Sequence, residues 1–228
     1  MVSHLSLFPI EFGLGHHEFS CVDLFGSKIY LTSNGGRMSF FSRLITLFII
    51  CNVPVAYGDW RVAQGSTVGF VSIKNNVVGE VNTFDQLSGT IFDSGRVQIV
   101  IALSSVETGI KIRNERLQKM LFEVASFPTA SIDAALSDSQ IAALRAGGAR
   151  AESVSVNIRL HGKTVSKTAN VSVSSSGGDV RVTTTQPIVI TAQEFGLESG
   201  VAALQQIAGL NAISRSIPVT VDLRLTAD

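Results

Sequence analysis

Residues 97–129 read VQIVIALSSVETGIKIRNERLQKMLFEVASFPT. Val97, Ile99, Ile101 and Leu103 fall at every second position, which puts four apolar side chains on one face of a β-strand. Ser104, Ser105, Thr108 and Gly109 bring turn chemistry and end that strand. Arg113, Glu115, Arg116 and Lys119 then share a short segment with Leu117, Met120 and Leu121, whose i, i+3, i+4 spacing predicts one helical face. Pro128 closes the unit by pushing Phe127 towards an extended conformation. The stretch reads as strand, turn, short charged helix, turn, and a return into the next strand.

Strands dominate on both sides of it. Upstream, Trp60–Val62, Ser66–Lys74, Val77–Phe84 and Leu87–Phe92 read as extended, separated by Asn75-Asn76 and Asp85-Gln86. Gly79 and Gly89 inside these runs mark bends or bulges. Downstream, Ala130–Leu136 is extended, and Ser137 with Gln140 forms a capping box for a short helix that Gly147-Gly148 ends. Val154, Val156, Ile158 and Leu160 alternate up to a hairpin at His161-Gly162-Lys163, and Val165–Val173 returns. Ser174–Asp179 reads as a flexible loop, Val180–Thr185 and Pro187–Thr191 as strands, and Val201–Ala208 as helical. Val219, Val221, Leu223 and Leu225 close the chain with a last alternating strand. The fold class that follows is all-β: an antiparallel meander of about eight strands with short helical inserts, closed into a barrel able to hold a small ligand. A β-sandwich is the competing arrangement.

Residues 38–58 have the layout of a secretory signal peptide. Met38 and Arg43 form its basic start, 44–51 its apolar run, and Ala56-Tyr57-Gly58 a small-residue cleavage site before Asp59. The apolar run is shorter than the ~20 residues of a membrane-spanning helix. On this reading residues 1–37 lie upstream of the true start, and 59–228 form one exported domain with no stable membrane span after cleavage. Both cysteines, Cys21 and Cys51, precede that domain, so its stability rests on an apolar core rather than disulfides.

The chain carries 18 basic and 18 acidic residues. Such a balance lacks the basic footprint of a nucleic-acid binder. The exported domain has a single histidine, His161, and no cysteine, which excludes a His/Cys metal cluster and Cys–His catalysis. His161 falls in the hairpin turn, where it is expected to be solvent-exposed. No Gly-x-Ser-x-Gly elbow or phosphate loop is present. No catalytic residue and no metal ligand is therefore assigned. The cluster Arg113-Asn114-Glu115-Arg116 reads as a solvated helix face or as the polar rim of a cavity.

The central stretch resembles the signature of the YceI-like family, in "Ser-Val-x-Thr-Gly" and "Leu-Phe-x-Val-x-x-Phe-Pro-Thr". The resemblance extends over Ser66–Lys74, Phe84–Ile91, Leu160–Thr164, Phe195-Gly196-Leu197 and Ile217–Leu225. It departs where the family often has Arg-Asp-x-His-Leu, for which this chain has Arg113-Asn114-Glu115-Arg116-Leu117. The resemblance implies a periplasmic, non-enzymatic lipocalin-like barrel around a channel for an isoprenoid chain, such as a quinone tail or polyprenol. No cofactor is implied beyond that bound lipid or quinone.

Strand alternation and the resemblance together put Phe70, Val81, Phe84, Ile91, Val97, Ile99, Ile101, Leu117, Met120, Leu121 and Phe122 near the cavity. Arg113 and Arg116 are expected at its rim. The expected partner is an isoprenoid lipid, with no nucleic acid, and a homodimer stays open. Two other classes compete. One is a solid barrel that binds a protein through its loops. The other is an enzyme combining carboxylates with His161.

Overall fold

The computed structural model describes residues 58–228 and, before them, two short strands, β1 (Ser20–Val22) and β2 (Lys28–Tyr30), which pair antiparallel. The chain splits into two compact units, Met1–Val53 and Pro54–Asp228. The expected signal peptide and the rest of the upstream segment lie outside the described residues.

The second unit holds β3 (Trp60–Val62), β4 (Thr67–Lys74), β5 (Val78–Phe84), β6 (Leu87–Ile91), β7 (Arg96–Ala102) and β8 (Val106–Glu107). It continues through β9 (Thr129–Ala135), β10 (Gly148–Leu160), β11 (Lys163–Ser176), β12 (Asp179–Thr184), β13 (Ile188–Thr191) and β14 (Ser216–Ala227). Three α-helices intervene: α1 (Lys111–Arg116), which runs on as a π-turn over Leu117–Leu121, α2 (Asp138–Ala146) and α3 (Glu198–Ile207); a 3-10 turn over Leu103–Ser105 follows β7, so Leu103 lies just past the strand expected to hold it.

Sequential pairing makes this a meander. β12-β11-β10-β9-β7-β6-β3-β14 are neighbours in that order, and β12 also pairs β14, so eight antiparallel strands close into a barrel. Several strands bend midway and carry two labels. β14 pairs β4 through Val219–Asp222 and β3 through Leu225–Ala227 on one edge. Its other edge pairs β13 through Ser216–Val219 and β12 through Asp222–Thr226.

The bend between β3 and β4 is held by a buried hydroxyl. Ser66 Oγ accepts from the Arg224 N–H at 2.9 Å and donates to the Ala63 carbonyl at 2.8 Å, filling a gap in the ladder. Gly89 in β6 has φ +143°, and a Cβ there would stand 2.1 Å from the Gln98 carbonyl oxygen. Only glycine lets the two strands approach this closely. At the other glycine marked in the sequence, Gly79, a Cβ would meet only the Val71 side chain, at 3.8 Å.

The helices close the ends. α2 starts in the capping box expected from Ser137 and Gln140, and Gly147 follows it at φ 80°. Its Ile141 and Leu144 are buried in one core cluster with Trp60, Ile91, Ile99 and Leu225. The π-turn's Leu117 and α3's Val201 are buried in a second cluster, with Val68, Phe84, Ile101 and Phe195. Two strands are longer than the sequence suggests. Ser174 and Ser175 continue β11 against Ala149 and Gly148 of β10, Ser176 pairs Asp179 of β12, and the turn contracts to Gly177-Gly178. Backbone pairing there overrides the loop-like composition of the serines.

Candidate functional site: an apolar cavity along the barrel

The inward positions form a depth scale. Along β10, Arg150, Glu152, Val154, Val156, Ile158 and Leu160 point inward and the residues between them point out. Arg150 and Glu152 form an ion pair of 3.1 Å near α2, and Gln140 of α2 donates to Glu152 at 3.2 Å. That end is a polar floor. Above it the wall is aliphatic.

Two chambers fill the interior. The upper one, of about 560 Å³, is lined by residues of β4, β5, β13 and β14, by α1 with its π-turn, and by α3. The lower one, of about 120 Å³, lies over α2. Both are lined by Ile132, Ile158, Ile188 and Val221, so they adjoin at an aliphatic waist. Phe70, Ile190, Ile217 and Val219 face inward yet keep partial exposure. The surface they expose faces the cavity.

The aromatic wall combines one stacked and one edge-to-face contact. Phe70 and Phe84 stack with centroids 5.4 Å apart, and Phe122 meets Phe84 at 5.6 Å and 61°. The polar lining of the upper chamber is confined to one end. Lys74 and Arg113 both pair with Glu80, the latter at 2.6 Å, and Asn82 donates to Ser72 Oγ at 3.1 Å. The hydrogen bond from Lys74, together with the nearby Arg113 guanidinium, holds the Glu80 carboxyl below its ordinary pKa against a smaller opposing effect of burial. Asn82 is buried, and its Oδ1 has no partner.

Asn114 stands where the family's aspartate would be. Its Oδ1 accepts from both the N–H and the hydroxyl of Thr108, and its Nδ2 donates to Glu107 at 3.1 Å. This side chain fixes the turn that launches α1.

The structure brings most of the expected site residues together. Phe70, Phe84, Ile101, Arg113, Arg116, Leu117, Leu121 and Phe122 line the upper chamber. Ile91, Val97 and Ile99 line the lower one. Two do not line either. Val81 is 74% exposed on the outer face of β5. It is three residues from the inward Phe84, and strand alternation allows only one of the two inside. Met120 lies outside the lining because the segment is a π-turn, with the Phe122 N–H bonded to the Leu117 carbonyl at 2.9 Å. A widened turn rotates each residue by less, so i+4 and i+5 keep the face of Leu117 and i+3 leaves it.

His161 also differs from expectation. It occupies the hairpin turn at φ 50°, but its side chain is only 17% exposed and its ring packs 4.3 Å from that of Phe127. Its Nε2 lies 3.7 Å from a Glu123 carboxylate oxygen and forms no hydrogen bond. It is absent from the lining of either chamber. Among the described residues no cluster of three or more His, Cys, Asp or Glu is placed to hold a metal ion. Also among the described residues, no helix is long and apolar enough to cross a membrane.

Sequence reasoning missed Ser72, Lys74, Glu80 and Asn82. The signal was present as parity: Glu80 and Asn82 share a face with Phe84, as Ser72 and Lys74 do with Phe70.

A meander barrel with a deep apolar interior defines the lipocalin-like class. The YceI-like domain model matches residues 60–225, and the chain belongs to that family. Among solved structures it is similar to a polyisoprenoid binding domain from Saccharophagus degradans implicated in plant cell wall breakdown. The identity is 34% with a TM-score of 0.71, covering 75% of this chain and 99% of that one. BcnA of Burkholderia cenocepacia shares the fold at 21% identity and a TM-score of 0.54, with 70% of this chain and 95% of that one covered. No curated protein matches the sequence.

Proposed function

We propose that this protein is a non-catalytic, periplasmic carrier that holds one long isoprenoid-type lipid, a quinone tail or a polyprenol, inside the barrel. The observation that carries this reading is the shape and chemistry of the interior. Two adjoining chambers form a mainly apolar path whose charged lining lies towards its two ends. A flexible apolar chain gains ~25 cal/mol per Å² of apolar surface removed from water, before association costs are subtracted. Among the described residues, the upper chamber is lined by no aspartate, glutamate, histidine or cysteine, and its one lysine, Lys74, is paired with Glu80, which favours binding over acid–base or nucleophilic chemistry. The likeness to a polyisoprenoid binding domain supports the same ligand class. Export rests on the sequence of residues 38–58. A solid barrel acting only through its surface is disfavoured by the cavity itself.

Native mass spectrometry of protein purified from its own host, followed by denaturing extraction, tests the proposal. The expected result is a mass excess that extraction identifies as an isoprenoid lipid. Protein that carries no lipid across repeated preparations overturns it.

A further inference from the structure

Among the described residues lining the upper chamber, four are exposed: Ile110, Ile112, Ile207 and Ala208. They place the opening between the start of α1 and the end of α3. The rim of this opening is apolar, with Ile110 45%, Ile112 52% and Ile207 49% exposed. Val77 (82%) and Val78 (48%) belong to the same end, because Lys74 and Glu80 flank their turn and Glu80 is paired to Arg113 of α1. The Asn75 side chain accepts from the Asn211 N–H, which ties the loop after α3 to that turn as well. Single exposed aliphatic residues are ordinary, but three at one opening with two more at the same end form a patch.

Charge around this patch is of one predominant sign. With Lys74 and Glu80 of the adjoining turn counted, this end carries Lys74, Lys111, Arg113, Arg116 and Lys119 against Glu80, Glu107 and Glu115, and Lys74 and Arg113 share Glu80. Lys111 and Lys119 are exposed. Glu107 is engaged by the Gly109 N–H and Asn114. An apolar rim set among cations fits an anionic phospholipid surface. Isoleucines partition into the acyl boundary, and lysines meet the head groups.

We propose that this end of the barrel docks on an anionic bilayer, with Ile110, Ile112 and Ile207 inserted at the opening. The lipid then passes between membrane and cavity without its methylenes crossing water. The proposal deepens the lipid-carrier reading and rests on it for the identity of the cargo.

Vesicle flotation tests it, using protein purified from its host and vesicles of phosphatidylcholine with or without phosphatidylglycerol. The expected result is flotation with the phosphatidylglycerol vesicles that weakens as salt rises. The variant Ile110→Ser/Ile112→Ser/Ile207→Ser is expected to lose roughly tenfold in partitioning. Lys111→Gln/Lys119→Gln is expected to flatten the salt dependence, and Val100→Ser, on the outer wall, to behave as wild type. Absence of wild-type flotation, or equal flotation of the triple variant, overturns docking, as does a rim that captures a protein but no vesicle. Bound lipid measured in the same samples separates the two readings. Cargo without flotation removes docking alone, whereas flotation without cargo supports docking and counts against the carrier.

Discussion

Filling the waist tests whether the two chambers serve one ligand. Ile132 lines both chambers and projects from the middle of β9, paired to Ile99 on one side and Ile158 on the other. In Ile132→Trp the indole occupies existing void, so the overpacking penalty stays at or below the usual ~1–3 kcal/mol. A chain that threads both chambers then loses access to the lower one. Each five-carbon unit excluded forfeits about 1.5 kcal/mol at the ligand efficiency of drug-sized molecules. If its methylenes were fully buried, the loss is about 4 kcal/mol. The corresponding loss of affinity lies between roughly tenfold and a thousandfold per unit. Native mass spectrometry of the variant is expected to show a shift of the bound population to shorter chains, with lower occupancy. A folded Ile132→Trp protein with the same chain-length distribution and occupancy as wild type would refute a ligand that threads the waist. Urea denaturation supplies the folding control, and Val100→Trp on the outer face of β7 supplies the comparison for bulk alone.

Two further expectations concern the scaffold. Glu80 has its folded-state pKa lowered by Lys74 and Arg113, so its contribution is complete above its unfolded value of 4.5 and is lost as pH falls through the folded value. Glu80→Gln is therefore expected to cost about 1 kcal/mol at neutral pH, a partly solvated pair being worth no more. Urea midpoints from pH 7 to pH 3 should show the gap to wild type closing at the acid end, and a gap that stays constant or widens contradicts the assignment. Gly89→Ala sets a Cβ 2.1 Å from the Gln98 oxygen and is expected to cost more than ~3 kcal/mol. Gly109→Ala, with nothing within 4 Å, should cost only the ~1 kcal/mol of its left-handed backbone. Equal urea midpoints for the two variants would show that close strand approach is not what Gly89 provides.

Period and turn chemistry made the barrel legible. Val97, Ile99 and Ile101 face inward, the capping box of α2 forms, and the hairpin at His161-Gly162 turns where its glycine demands. These are local properties, decided within a few residues. The errors arise where a local rule meets a longer-range one. Val81 is apolar but has the wrong parity, and hydrophobicity alone cannot place it once Phe84 fixes the register of β5. Met120 has helical spacing, but the backbone adopts a π-turn where it packs on α3. A Cβ on Gly200 would stand 2.6 Å from the Met120 carbonyl oxygen, so the two segments touch backbone to backbone. The serines before Gly177 look like a loop by composition, and their strand character comes from pairing with β10 on one side and β12 on the other. The polar cluster of Lys74, Glu80, Asn82 and Arg113 needs three elements to converge, and no stretch of sequence contains it.

The hollowness of the barrel has a compositional cause. Eight strands enclose an interior that side chains can just fill. Here the waist positions are Ile132, Ile158, Ile188 and Val221, and β11 contributes Ala169 beside Val171 and Val173. β-Branched and small side chains stand stiffly from the wall and stop short of the axis. The large rings that could reach across, Phe70, Phe84 and Phe122, instead stack on one another along one wall. Cavity walls that lack partner atoms forfeit dispersion contacts, so the empty form is under-packed by construction. An apolar occupant restores those contacts, which makes the ligand part of the core rather than an addition to it. The same logic separates the two ends. The floor at Arg150 and Glu152 satisfies its own charges, whereas the rim at Ile110, Ile112 and Ile207 leaves apolar surface in water. Of the two, the second end is the one improved by contact with lipid, and it is where the upper chamber's exposed lining residues lie.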